Sequence, residues 1–162
     1  MGAYKSEKTN AGLVLYMKGD SIYSLTNGWL QISFQPNTLL AGRGHITFTS
    51  SKPRKAILVT ASGDTLQYIG VEPADTSEKT LEEYVGSYYS QDADVNMKVV
   101  LKKGKLVCFT REGREEILKP VYKDGFGFDG GDIFIDRDKQ GKINTLYISI
   151  SRARKVPFSR IP

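Results

Sequence analysis

The chain states one pattern twice. Gly2-Ala3-Tyr4-Lys5-Ser6 returns as Gly86-Ser87-Tyr88-Tyr89-Ser90, a separation of 86 − 2 = 84 residues. The turns that follow are shared: Lys18-Gly19 matches Lys103-Gly104, Gly28 matches Gly113, and Pro36 matches Pro120. The apolar runs Ile46-Thr47-Phe48 and Leu66-Gln67-Tyr68 match Ile133-Phe134-Ile135 and Val156-Pro157-Phe158. A period this long exceeds the smallest solenoid units and suffices for a small domain, so the chain is expected to build one unit twice. In 162 residues, each copy of roughly 80 can just enclose a core of its own.

Within a copy the residues read as short strands. In the second copy they are expected at 86–90, 96–102, 105–110, 114–121, 125–128, 132–136, 142–150 and 155–161, between glycine-bearing or polar turns such as Asp124-Gly125 and Gly130-Gly131. In the first copy they fall at 12–18, 21–26, 29–35, 44–49, 55–60 and 65–71, with a weak one near 38–41. Leu146, Ile148 and Ile150 alternate onto one face, whereas Leu106, Val107, Cys108 and Phe109 are apolar on both, as in a strand covered on both sides. Thr80-Leu-Glu-Glu83 has the pattern of a capping box, with Gly86 as a stop, and marks one short helix. The polar, proline-bearing stretch 72–77 before it sets a domain boundary, with one repeat at 1–76 and the other at 77–162. Many short strands mean an all-β sandwich or barrel. Two antiparallel barrels of about eight strands each fit better than two half-sheets closing as one, because eight strands already close around an interior. The abrupt start of the first copy at Gly2 suggests a segment of a longer protein.

Charge and composition exclude several classes. The net charge of +5 is spread: residues 1–76 carry seven Lys and Arg against five Asp and Glu, and residues 77–162 sixteen against thirteen. Its one dense run, Arg152-Ala-Arg154-Lys155, is read as a solvated turn, and the aromatics are interleaved with acids as often as with bases, so nucleic acid is not an expected partner. No apolar run reaches the roughly 18 residues of a membrane span. The lone Cys108 lies in an apolar run and is read as a buried structural thiol.

No catalytic constellation stands out. No Ser is followed three positions on by Lys, there is no Lys-Thr-Gly, and His45, the only histidine, lies in an expected strand. Asp136-Arg-Asp138-Lys-Gln140-Gly141 resembles the start of a calcium loop, but position twelve is Tyr147; Asp92-Ala-Asp94 lacks the required glycine. Both are read as turns. Neither cofactor nor metal is expected, and no residue is assigned a catalytic role. The aromatics, from Tyr84 and Tyr88 to Phe158, are read chiefly as core, with Phe109, Leu118, Phe134, Leu146 and Phe158 pointing inward. A filled barrel of that kind binds nothing inside.

Leu81-Glu-Glu-Tyr-Val-Gly-Ser-Tyr-Tyr-Ser90, with Lys103-Gly-Lys-Leu106, Leu118-Lys-Pro120, Asp124-Gly-Phe126 and Ile133-Phe-Ile-Asp-Arg-Asp138, resembles a known module. It is similar to the lipocalin-like β-barrel domain that follows the catalytic domain in penicillin-recognising serine hydrolases, the class C β-lactamase and D-aminopeptidase group. The likeness covers about residues 80–161 and extends more loosely to the first copy. It implies a noncatalytic accessory module in tandem, shaping or covering the active site of an upstream serine-hydrolase domain, in a bacterial periplasmic or secreted setting. The alternative is a stand-alone protein that binds a small apolar ligand. For the accessory role, the expected contact residues are Tyr122, Phe126, Arg152 and Arg154, because aromatics and arginines in turns are common interface anchors.

Overall fold

A computed structural model describes residues 2–24, 28–111 and 114–162. The chain is all-β apart from one short helix and forms two closed antiparallel eight-stranded barrels. It divides into units Met1–Pro73 and Ala74–Pro162, where composition placed the boundary between 76 and 77. In the first unit, β1 (Gly2–Ser6), β2 (Gly12–Lys18), β3 (Ser21–Ser24), β4 (Gly28–Ile32), β5 (Thr38–Ala41), β6 (Gly44–Phe48), β7 (Lys55–Val59) and β8 (Thr65–Val71) pair in chain order. The ring closes β8 on β1, with Ser6 opposite Tyr68. In the second, helix α1 (Glu78–Glu82) precedes β9 (Gly86–Ser90), β10 (Val95–Lys102), β11 (Lys105–Arg111), β12 (Arg114–Tyr122), β13 (Gly125–Phe128), β14 (Gly131–Arg137), β15 (Ile143–Ile150) and β16 (Val156–Ile161), and β16 closes on β9.

The duplication holds at the level of single bonds. Ser6 and Ser90 are both buried, and each accepts at 3.3 Å from the backbone N–H three residues on, Thr9 and Ala93. Each thereby ties down the first turn of its barrel, where Asn10 and Asp94 take φ of 60° and 48°. The next hairpin corrects one correspondence. Lys18 pairs with Ser21 and Lys102 with Lys105, so Gly19 (φ 60°) stands where Lys103 (φ 51°) does, and the offset of 84 persists through it. Left-handed residues suit such two-residue turns because their twist matches that of the strands. Gly44 and Gly131, which open β6 and β14, are equivalent too: a Cβ on either would collide with a backbone carbonyl, that of Val59 or Ser149. Gly28 matched Gly113, but Gly113 lies outside the described residues.

Strand parity decides the cores. Tyr4, Leu13, Leu15, Leu30, Ile46, Ala56, Leu58 and Tyr68 fill the first barrel, and Tyr88, Met97, Val99, Leu118, Ile133, Leu146 and Phe158 lead the second. Of the residues expected inside, Phe109 and Phe134 are not core members. Each alternates with inward neighbours, Cys108 and the pair Ile133 and Ile135, and so points outward; Phe134 stacks on Tyr147 at 4.7 Å instead. Leu106, Val107 and Cys108 are all buried, so β11 is covered on both faces. In β15 the register slips beside Asp136 and Arg137. Ile143 faces Arg137 and Thr145 faces Asp136, which leaves Asn144 as the extra residue of a bulge and turns both Ile143 and Leu146 inward. Ile150 ends the strand exposed.

Helix α1 begins earlier than the capping-box pattern placed it. Ser77, not Thr80, is the N-cap and accepts from the Thr80 N–H, and Asp75 accepts from the hydroxyls of both. Those hydrogen bonds, Thr80's first, hold the Asp75 carboxyl below its usual range. Gly86 is not the stop: the helix ends at Glu82 with Glu83 as C-cap, and Gly86 opens β9.

Candidate functional site

The strands define two ends for each barrel, and one end differs between the copies. It is the end at which β9 starts, bearing the turns between β12 and β13 and between β14 and β15. In the second barrel this end is shut. Leu81 and Tyr84, from α1 and the residues after it, join the core, and Phe126 meets Tyr84 edge-on at 4.8 Å. The Tyr88 hydroxyl donates to the Tyr84 carbonyl at 2.9 Å.

An ion pair locks that plug. Arg137, at the end of β14, donates through Nε to both carboxylate oxygens of Asp124 at 3.0 Å and through Nη2 to Oδ1 at 2.8 Å. It also reaches Glu83 at 3.0 Å and the Gly141 carbonyl at 2.9 Å. Tyr84 donates to the same Asp124 carboxylate at 3.1 Å. Hydrogen bonding to Asp124 holds the guanidinium above its ordinary range. Burial first, then the Asp124 charge, raises the Tyr84 phenol. Arg160 adds a second tie, donating to the carbonyls of Glu83 and Val85. Every group here is satisfied by another, which is the chemistry of a structural clamp.

In the first barrel the same end is open. There is a cavity of about 400 Å³, within the range of roughly 300–1,000 Å³ typical of small-molecule sites. Its wall is Tyr4, Leu15, Ile22, Leu39 and Phe48, and its rim is residues 32–38 with Arg54. One feature of the chain shapes the opening: β4 stops at Ile32, short of the stretch 29–35 expected, whereas β12 continues to Tyr122 and a two-residue turn. The connection 33–37 closes on itself: Gln35 N–H donates to Ser33 Oγ, Ser33 N–H to the Thr38 carbonyl, and the Thr38 hydroxyl to the Pro36 carbonyl. It leaves Phe34 fully exposed and Ile32 largely so at the rim.

The residues singled out in the sequence fall elsewhere. Tyr122 and Phe126 are strand residues and buried, not exposed turn aromatics, because β12 and β13 run right up to Lys123 and Asp124. The Tyr122 ring lies over Gly125, where no Cβ would fit, and burial raises its phenol. Arg152 and Arg154 are exposed on the turn between β15 and β16 and have no ion pair among the described residues. Cys108 is buried, and burial with the Glu116 charge pushes its thiol up to about 11. Asp138, in the calcium-like stretch, spends its carboxylate on the N–H groups of Gln140 and Lys142 and shapes a turn. His45 sits in β6 opposite Val59, half-buried. No cluster of three or more His, Cys, Asp or Glu able to hold a metal occurs among the described residues. Nor is any helix of the described residues long and apolar enough to cross a membrane.

No family model matches the chain, and no curated protein does. Among solved structures it is similar to one described as the crystal structure of SurE with D-Leu, at 11% identity and a TM-score of 0.42. The alignment covers 85% of this chain and 39% of that one, so the chain spans well under half of its length.

Proposed function

We propose that this is a noncatalytic binding module whose first barrel holds a small, mainly apolar molecule while the second serves as a filled, rigid companion. The observation that supports it is the contrast at equivalent ends: apolar side chains and a clamp stop one barrel, and an apolar-walled cavity of about 400 Å³ opens the other. Such concave, largely preformed sites are where small molecules bind. The test is calorimetric titration with decan-1-ol. Saturable one-site binding, abolished by Ile22→Trp, which fills the cavity, supports the reading; no binding, or binding untouched by that substitution, contradicts it.

A second reading is the accessory role implied by the resemblance to the modules of serine hydrolases. In its favour are Arg152 and Arg154, which are exposed and without ion pairs among the described residues, and arginine is one of the residue types enriched among interface anchors. A pull-down of a hydrolase domain encoded in the same reading frame, lost on replacing both arginines by alanine, is the expected result. Retention by the double variant counts against it.

A further inference from the structure

We infer that the ligand of the first barrel is an apolar chain ending in a carboxylate, with Arg54 and the Tyr4 hydroxyl as the groups that receive the anion. This rests on the pocket reading above and deepens it. The second barrel shows how this architecture treats a cation at this end. At the end of β14, Arg137 is met by the Asp124 carboxylate from the turn between β12 and β13, over an aromatic plug. In the first barrel the connection after β6 carries Arg54, which lies at the rim of the pocket. The counterpart of the Asp124 turn is Ser33-Phe34-Gln35-Pro36-Asn37, which has no acid. Among the described residues neither Asp nor Glu lines the pocket, and Arg54 has no ion pair.

Tyr4 is a further polar group at the pocket. Its counterpart Tyr88 gives its hydroxyl to the Tyr84 carbonyl. Tyr4 lines the pocket, and among the described residues its hydroxyl donates to no protein group. The pocket thus offers an apolar wall with a cation and a phenol beside it, and among the described residues no protein carboxylate meets either. A single molecule with an apolar tail and an anionic head fits both. The Arg54 backbone is fixed beside β8: its carbonyl accepts from the Gly70 N–H at 2.6 Å. A guanidinium suits a carboxylate because it offers paired donors.

The experiment titrates the whole chain with three probes of one tail length, decanoate, decan-1-ol and decylammonium, at low ionic strength. Decanoate is expected to bind best, by about tenfold over decylammonium, with affinity falling as salt is added. Arg54→Gln is expected to weaken decanoate about five- to tenfold and leave decan-1-ol unchanged, and Arg54→Glu to reverse the order of decanoate and decylammonium. Equal binding of all three probes, with Arg54→Gln silent, overturns the carboxylate assignment and leaves the pocket standing. An equal loss for every probe in Arg54→Gln makes Arg54 a structural residue and likewise overturns it. No binding of any probe removes the pocket reading and this inference together.

Discussion

Tyr4 and Tyr88 occupy the same place in the two barrels and differ in what the hydroxyl meets: Tyr88 donates to the Tyr84 carbonyl at 2.9 Å, whereas Tyr4 looks into the open end. Both rings are buried in their cores. Replacing Tyr88 by Phe strands the Tyr84 carbonyl and is expected to lower the stability of the second barrel by about 1 kcal/mol. Tyr4→Phe removes no protein hydrogen bond and is expected to leave the first barrel within about 0.5 kcal/mol. Urea denaturation of each variant checks both, and equal losses would contradict the contrast.

The Arg137–Asp124 clamp is expected to be a stability device of the second barrel. Both side chains are about four-fifths covered, at 20% and 19% exposure, which puts the pair beyond a surface ion pair. Asp124 has φ 66°, a region Asn also tolerates, so Asp124→Asn changes charge without straining the backbone. A loss of about 2 kcal/mol is expected, read as a lowered urea midpoint. A loss under about 0.5 kcal/mol would reduce the clamp to a solvated pair.

Cys108 makes the second barrel sensitive to alkali. Its folded thiol, raised by burial and the Glu116 charge, titrates at about 11 against 9.0 when unperturbed. A raised folded value means the stabilisation is intact below pH 9 and is lost as pH climbs from 9 through 11, since only the unfolded chain then gives up its proton. From the thiol alone the fall is about 2 kcal/mol by pH 11. Chemical denaturation across that interval, with Cys108→Ala flattening the slope relative to wild type, is the expected outcome. Tyr84, Tyr88 and Tyr122, whose phenols are also raised by burial, leave a residual slope in the variant.

Much of the fold was legible because duplication and turn chemistry are local signals. The Gly-x-Tyr-x-Ser motif marks β1 and β9 because Tyr and Ser are the inward residues of a strand whose serine caps the next turn. Parity over longer spans was less legible. Asn144 bulges without any local signature, and Phe109 and Phe134 look like core until their neighbours claim the inward positions. The N-cap went to Ser77 because Asp75, accepting from the hydroxyls of both Ser77 and Thr80, organises the turn before Thr80, a local network that the capping-box pattern alone does not register. The site itself was hidden for a similar reason. Tyr122 and Phe126 stand beside a turn in sequence yet lie inside the barrel wall, while the pocket forms where β4 stops short at Ile32, which no local motif announces. Arg54 carries no motif; it stands out only because the fold places it at the rim of the pocket.

The central claim is that one barrel is hollow at the end where the other is plugged. Methyl-resolved nuclear magnetic resonance of the whole chain, titrated with decan-1-ol, tests it most directly. Shifts concentrated at Leu15, Ile22 and Leu39, with Leu81, Met97 and Leu118 unmoved, are the predicted result. Shifts of equal size in both sets, or in neither at saturating probe, would contradict it.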